Sequence, residues 1–249
     1  MLVAVLAGLL AGLFTGILHT FCGISAILAG ILSQLSLWSV NLAILGKANQ
    51  AISVNNYNLL VSLRYLEDTG KGTLPFYNSP IFVTGIFVVV VIAVLFWFFG
   101  TELGAAIRAT GANQNMARAQ GIHTNRNKII GLMLSNGLVA LSGALLVQYQ
   151  GFADINMGRG AIIIGLAAVI IGEILFSRIF NRLVLRLVGV AIGAIIYFLV
   201  MQFVLWTRLV DANYLKLISA LVVALFLSIP YWKNRYLPML SKRKREKGA

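Results

Sequence analysis

The chain has 249 residues, of which 59% are apolar and 11% charged, with a mean hydropathy of +0.90. A soluble domain carries about 25% charged residues, so a soluble enzyme is excluded before any motif is read. Twenty Lys+Arg against seven Asp+Glu give a net charge of +13, but these basic residues lie between long uncharged runs, the pattern of a polytopic membrane protein and not of a nucleic-acid-binding face.

A helix needs roughly 20 mostly apolar residues to cross about 30 Å of hydrocarbon. Seven runs qualify or nearly so: about 2–20, 24–46, 80–100, 129–149, 161–176, 185–206 and 215–231. The expectation is an all-α membrane protein of about seven helices, with one transmembrane domain over 1–231 and a basic tail over 232–249. The first run lacks a basic flank and a small-residue cleavage site, so it reads as a membrane helix and not a signal peptide. In it Gly8, Gly12 and Gly16 form two overlapping GxxxG steps, the spacing that lets helices approach closely in lipid. Cys22 is the single cysteine, and with only His19 and His123 as histidines there is no intrachain disulfide, no cysteine or histidine metal cluster and no cofactor to expect.

The second run carries Ser33, Gln34 and Asn41, seven or eight residues apart and therefore expected on one face. A long outer loop, 47–79, follows; it is rich in Asn, Ser and Tyr, and reads as a solvated connector, as a docking segment for an extracytoplasmic partner or as a short helix lying on the membrane. The fourth run carries Ser135, Asn136 and Gln148, with a looser small-residue step at Ala140 and Ala144. The fifth is short and reaches Glu173, which either pairs with Arg178 or marks the membrane edge. The sixth carries Gly189 and Gly193, then Tyr197 and Gln202. Polar groups in mid-membrane are costly, so each of these uncharged residues is expected either in an interhelical hydrogen bond or on a solute path.

The Lys/Arg bias sets orientation. With the tail (Lys233 to Lys247, including KRKREK) in the cytoplasm, that side also receives 100–128 and 177–186, giving 14 basic residues against six outside (Lys47, Arg64, Lys71, Arg159, Arg208 and Lys216). The C-terminus is thus expected inside and Met1 outside. Such an odd-numbered arrangement leaves the first helix without a cytoplasmic flank and suggests missing N-terminal sequence.

The cytoplasmic loop 101–128 is the most informative stretch: TELGAAIRATGANQNMARAQGIHTNRNK. It contains two helix-compatible pieces, ELGAAIRA and NQNMARAQ, expected to break at Gly111. Asn113 can cap the second piece and Gly121 can end it. A short helix of Ala, Met and Gln parallel to the membrane suits either an interfacial amphipathic helix or a docking element for a soluble partner.

The string RATGANQNMARAQGI, followed by N-R-N-K and an apolar helix, resembles the coupling region of ABC-importer permeases of the branched-chain amino acid and ribose type, in particular a subgroup described as tryptophan/tyrosine importers. TGILHT with ISAILAGILSQLSLWSVNLAILGKAN, and ADINMGRGAIIIGLAAVIIGE, resemble the same subgroup. The likeness covers the chain from about Leu9 to the last helix. Subgroup members carry about two further helices before the TGxLHT segment, which again suggests that N-terminal helices are missing. The resemblance implies a coupling element at Arg108, Ala109, Thr110, Gly111, Asn113, Met116, Ala117, Gln120 and Gly121, with Arg108 and Glu102 anchoring its ends. It implies as partners a separate ATP-binding subunit, an extracytoplasmic substrate-binding protein and a second permease copy, in a bacterial plasma membrane. It also implies a small polar cargo such as an amino acid, aromatic in the subgroup, passing Ser33, Gln34, Asn41, Ser135, Asn136, Tyr197 and Gln202. The chain has no G-x-x-x-x-G-K-[ST] phosphate loop, so ATP would be hydrolysed elsewhere and this chain would not be an enzyme. The competing class is a secondary transporter or channel without an ATPase. That class usually shows ionisable residues inside the membrane or paired broken helices, and here only Glu173 comes near.

Overall fold

The computed structural model describes residues 1–52, 59, 61, 79–158, 160–176 and 183–206, with 217, 220, 221, 223, 224 and 228. The chain divides into two compact units, Met1–Gly158 and Arg159–Ala249.

In the first unit α1 (Leu2–Thr20) and α2 (Ala26–Leu45) are followed by a short strand, β1 (Asn49–Ala51). Then come α3 (Pro80–Gly100), α4 (Glu102–Ala112), α5 (Gln114–Ala119), α6 (Thr124–Gln150) and β2 (Phe152–Asp154). The helix limits follow local chemistry. Pro80 opens α3, where its missing N–H is harmless, and the Ser79 hydroxyl caps that turn by accepting from the Phe82 N–H at 3.4 Å. Gly46 (φ 70°) and Gly151 (φ 77°) close α2 and α6 in the left-handed conformation that glycine adopts without penalty.

The GxxxG stripe of α1 seats on α6 in antiparallel fashion. A Cβ on Gly8 would lie 2.6 Å from the Ala140 Cβ, one on Gly12 would strike the Leu132 carbonyl and Met133 Cα, and one on Gly16 would lie 3.1 Å from Ile129. Lipid offers no hydrophobic drive between helices, so this backbone-to-backbone contact is what holds the pair. The turn into α2 is set by His19, whose Nδ1 lies 2.8 Å from the Ile24 carbonyl. Beyond the far ends of α2 and α6, β1 and β2 pair antiparallel in the register Asn49↔Asp154, Gln50↔Ala153, Ala51↔Phe152. The start of the 47–79 segment is therefore not a plain connector: it is tied to the residues that follow α6.

The second unit contains α7 (Ala161–Phe176) and α8 (Leu183–Trp206). Here too glycines carry the contact: a Cβ on Gly172 would strike the Gly189 carbonyl, and one on Gly193 the Ala168 carbonyl. Ala167, Ile171, Tyr197 and Val223 form the buried cluster beside them. α7 has 16 residues, about 24 Å at 1.5 Å per residue, and runs unbroken through Glu173, which is exposed. Arg178 lies outside the described residues, as do most of 53–78, most of the 215–231 run and the tail.

Five described helices are long and apolar enough to cross a membrane: Leu2–Thr20, Ala26–Leu45, Pro80–Gly100, Thr124–Gln150 and Val184–Val204. In α3 only Pro80 is buried, which fits a helix presenting most of its surface to lipid. The chain is an all-α, multi-pass membrane protein.

Candidate functional site

Between α3 and α6 the chain builds an elbow. Thr101 ends α3 and starts α4: its hydroxyl donates to the Phe98 carbonyl at 2.6 Å and accepts from the Gly104 N–H at 3.3 Å. Glu102 sits exposed in the first turn of α4, where a carboxylate suits the helix dipole. Gly104 packs so closely on the Phe98 carbonyl and Phe99 Cα that no side chain fits there. The inward side of α4 is Gly104, Ile107 and Thr110, while Ala105, Arg108, Ala109 and Ala112, spaced i, i+3, i+4, i+7, are exposed.

The break between the two pieces falls at Asn113, not at Gly111 as expected. Gly111 is helical and exposed, and a Cβ there would meet open space. Asn113 is extended (φ −154°, ψ 106°); its N–H donates to the Ala109 carbonyl at 3.0 Å, and its side-chain oxygen accepts from the N–H groups of Asn115 and Met116, both at 3.1 Å. One asparagine thus ends α4 and caps α5. The expected cap is present, and the break belongs to the residue that makes it. Gly121 (φ 77°) ends the six-residue α5 as expected, with the Ile122 N–H returning to the Ala117 carbonyl at 3.0 Å.

Two side-chain bonds fasten the elbow to the first turn of α6. Arg118 Nε donates to Thr124 Oγ1 at 3.0 Å, and Asn127 Nδ2 donates to Thr110 Oγ1 at 3.2 Å. Thr110 Oγ1 in turn donates a hydrogen bond to the Ala106 carbonyl at 2.8 Å. Thr110, Thr124 and Asn127 are buried, and Ala117 is 2% exposed. Of the residues assigned to coupling, then, Arg108, Ala109, Gly111, Asn113, Met116, Gln120 and Gly121 lie on the surface, with Met116 63% exposed. Thr110 and Ala117 hold the elbow together and do not face outward. The sequence reading assigned no role to Thr101, Gly104, Thr124 or Asn127. A polar Asn beside the start of an apolar helix was the available signal for Asn127.

The polar membrane positions separate into two kinds. Ser33 is buried: it accepts from Thr15 Oγ1 at 2.8 Å and donates to the Ala29 carbonyl at 2.8 Å. Gln34 and Asn41 are exposed. Seven residues nearly close two helical turns, so these two share a face, and the face expected to include Ser33 does not. Asn136 donates to the Leu132 carbonyl at 2.9 Å on its own helix, while Ser135 is exposed. In the second unit Tyr197 is a core residue, 1% exposed, and Gln202 is exposed. Ser33 and Tyr197 are packing residues; Gln34, Asn41, Ser135 and Gln202 remain on open helix surfaces.

A family model described as "Branched-chain amino acid transport system / permease component" matches residues 1–229. Among curated relatives, a tyrosine transport system permease protein of Clostridioides difficile (strain R20291) is 38% identical over 227 residues, covering 91% of this chain and 71% of the relative. An uncharacterized protein of Rickettsia prowazekii (strain Madrid E) is 32% identical over 227 residues, 90% of this chain and 76% of that one. An autoinducer 2 import system permease protein of Yersinia pestis (strain Pestoides F) is 30% identical over 176 residues, 70% of this chain and 46% of that protein. No solved structure matches the chain.

Proposed function

The chain belongs to the family of permease components of branched-chain amino acid transport systems, and from that premise we propose that it is the membrane subunit of an importer driven by a separate ATP-binding subunit, which docks on the α4–α5 elbow. The family is one of transport permeases and not of catalytic enzymes. The observation that carries the coupling reading is the elbow's construction. It is an ordered, doubly capped pair of short helices, fastened to a long apolar helix and presenting Ala105, Ala109, Gly111, Ala112 and Met116 outward. Small residues permit close approach by a partner, and α5 with six residues is too short to stand without its caps.

In this reading the elbow and the basic tail lie in the cytoplasm of a bacterium, two permease copies assemble in the plasma membrane around one path, and an extracytoplasmic binding protein delivers the cargo. The runs within 1–231 act as one transmembrane domain. The tyrosine permease relative supports an amino acid, aromatic in type, as that cargo. Within the first unit, Gln34, Asn41 and Ser135 are its candidate contacts, being polar, uncharged and exposed.

Gly111→Trp tests the docking surface. A Cβ here meets open space within this chain and the position is exposed, so the variant is expected to fold and insert, while a partner cleft fitted to glycine should reject it. ATPase recovered with the purified variant is expected to fall at least tenfold, the equivalent of about 1.4 kcal/mol. Undiminished recovery, with uptake of labelled tyrosine intact, would remove the elbow from the interface.

A further inference from the structure

We propose that Asn127 is a positioning residue for energy coupling: its bond to Thr110 makes the elbow and α6 one body, so that movement of the elbow is delivered to α6 and not absorbed in the turn before it. The inference rests on the reading of the elbow as the ATPase contact. It extends that reading from the surface that is touched to the buried joint that transmits.

The covalent link from α5 to α6 is weak as a lever. It runs through Gln120 to His123, with Gly121 in the left-handed region at φ 77°, and α5 itself has only six residues. Such a turn opens readily unless other groups brace it. The bracing is supplied by side chains. Asn127 stands on the first turn of α6, and its amide meets a hydroxyl from the last turn of α4, at 3.2 Å. Thr110 is 7% exposed and Asn127 6%, so water does not readily replace either partner and the bond keeps its direction. The hydroxyl is held in turn by donating to the Ala106 carbonyl at 2.8 Å. Arg118 to Thr124, at 3.0 Å, joins α5 to the same turn.

Beyond that turn, α6 has α1 against its backbone at three successive levels, Gly16 on Ile129, Gly12 on Leu132 and Met133, and Gly8 on Asn136 and Ala140. A close-packed backbone contact of this kind moves as a unit. The route of displacement is therefore α4–α5, the Thr110–Asn127 joint, α6, then α1. Asn127 is buried, whereas the proposed docking residues Arg108, Ala109, Gly111 and Met116 are exposed, which makes its effect separable from theirs.

The test compares wild type, Asn127→Leu, Thr110→Val and Thr110→Ser in the complete importer reconstituted in liposomes. Four quantities are read: ATPase recovered with the permease, ATP hydrolysed, labelled tyrosine taken up per ATP, and amide hydrogen exchange over 120–127. For Asn127→Leu and Thr110→Val the expected result is ATPase recovery and hydrolysis within about twofold of wild type, uptake per ATP at least fivefold lower, and exchange at least tenfold faster. Thr110→Ser retains the hydroxyl and should match wild type in all four. If Asn127→Leu fails to fold, the nearly isosteric Thr110→Val decides alone. The proposal is overturned if exchange and uptake per ATP stay at wild-type values in Thr110→Val. It is also overturned if recovery, hydrolysis and uptake fall in parallel, as they would for a residue that merely stabilises the fold. Loss of ATPase recovery in Gly111→Trp with normal coupling in Thr110→Val would leave the docking surface standing and sink this inference alone.

Discussion

The hydroxyl of Thr15 lies 2.8 Å from that of Ser33 and donates to it, joining α1 to α2 within the apolar layer. Interhelical bonds of this kind average about 0.6 kcal/mol in membrane proteins, with a maximum near 1.7. The carbonyl of Ala11, 3.0 Å from Thr15 Oγ1, offers a second acceptor when Ser33 is gone. Ser33→Ala should therefore lower detergent stability by about 0.6 kcal/mol and leave uptake within about twofold of wild type. Thermal unfolding and transport assays on the same preparation check this. Uptake abolished at unchanged stability would place Ser33 on the solute path.

Glycine substitutions should sort by what each new Cβ meets. Gly12→Ala drives a methyl into the backbone of α6 at Leu132 and Met133, an overpacking that costs typically 1–3 kcal/mol. Gly30→Ala on α2 meets open space and should be neutral or slightly stabilising, since alanine exceeds glycine in helix propensity by about 1 kcal/mol. Gly111→Ala belongs with Gly30→Ala by the same criterion. Melting temperatures of the three variants in one detergent should separate Gly12→Ala from the other two.

Asn113→Ala removes the acceptor for two N–H groups of α5, each now bonded at 3.1 Å. Loss of such a cap costs about 1 kcal/mol, and α5 is too short to absorb it. Under the proposed function, ATPase recovery should fall about fivefold at normal expression, and Asn113→Asp, which also caps, should restore it. Recovery that ignores both changes would mean that α5 is not gripped by a partner.

The ladder between β1 and β2 can be trapped chemically. Its backbone bonds run from the Ile52 N–H to the Gly151 carbonyl (2.8 Å) and from the Ile155 N–H to the Ala48 carbonyl (3.0 Å). That leaves Ala51↔Phe152 as a non-hydrogen-bonded pair, where Cα atoms lie about 4.5 Å apart, within reach of a disulfide. In a Cys22→Ser background, Ala51→Cys with Phe152→Cys should form a crosslink under mild oxidation, seen as a mobility shift after proteolysis between α2 and α6. No crosslink under conditions that oxidise accessible thiols would disprove the pairing.

The long helices were legible because apolar run length alone sets them: 2–20, 80–100 and 161–176 coincide with α1, α3 and α7. α6 begins five residues before its apolar run, at Thr124, since its first turn is polar and is stabilised by the elbow rather than by lipid. The caps at Asn113 and Gly121 were legible because their chemistry is local. The inward turn of Thr110 and Ala117 was not, as it depends on where α4 and α5 lie against α6, a contact that no periodicity in so short a segment reveals. For the same reason Ser33 could not be told from Gln34: adjacent polar residues on one helix differ only in which neighbour stands beside them. The β1–β2 pairing joins residues some hundred positions apart through three-residue strands with little β-forming character, so nothing in either strand announces it.

That ladder has a mechanical consequence for any opening of the first unit. α2 and α6 are each bound to α1 within the helical layer, and beyond it their chain extensions are stitched together at the ordinary interstrand spacing of about 4.8 Å. The triangle of α1, α2 and α6 is thus closed at its far corner chiefly by backbone, with the Asn49 amide donating to the Asp154 carboxylate at 3.5 Å beside it. Substitution of a single side chain cannot unlock it, and a solute gate between α2 and α6 at that end would have to unzip several peptide hydrogen bonds at every turnover. The economical place for a gate is along an edge that this stitch leaves free.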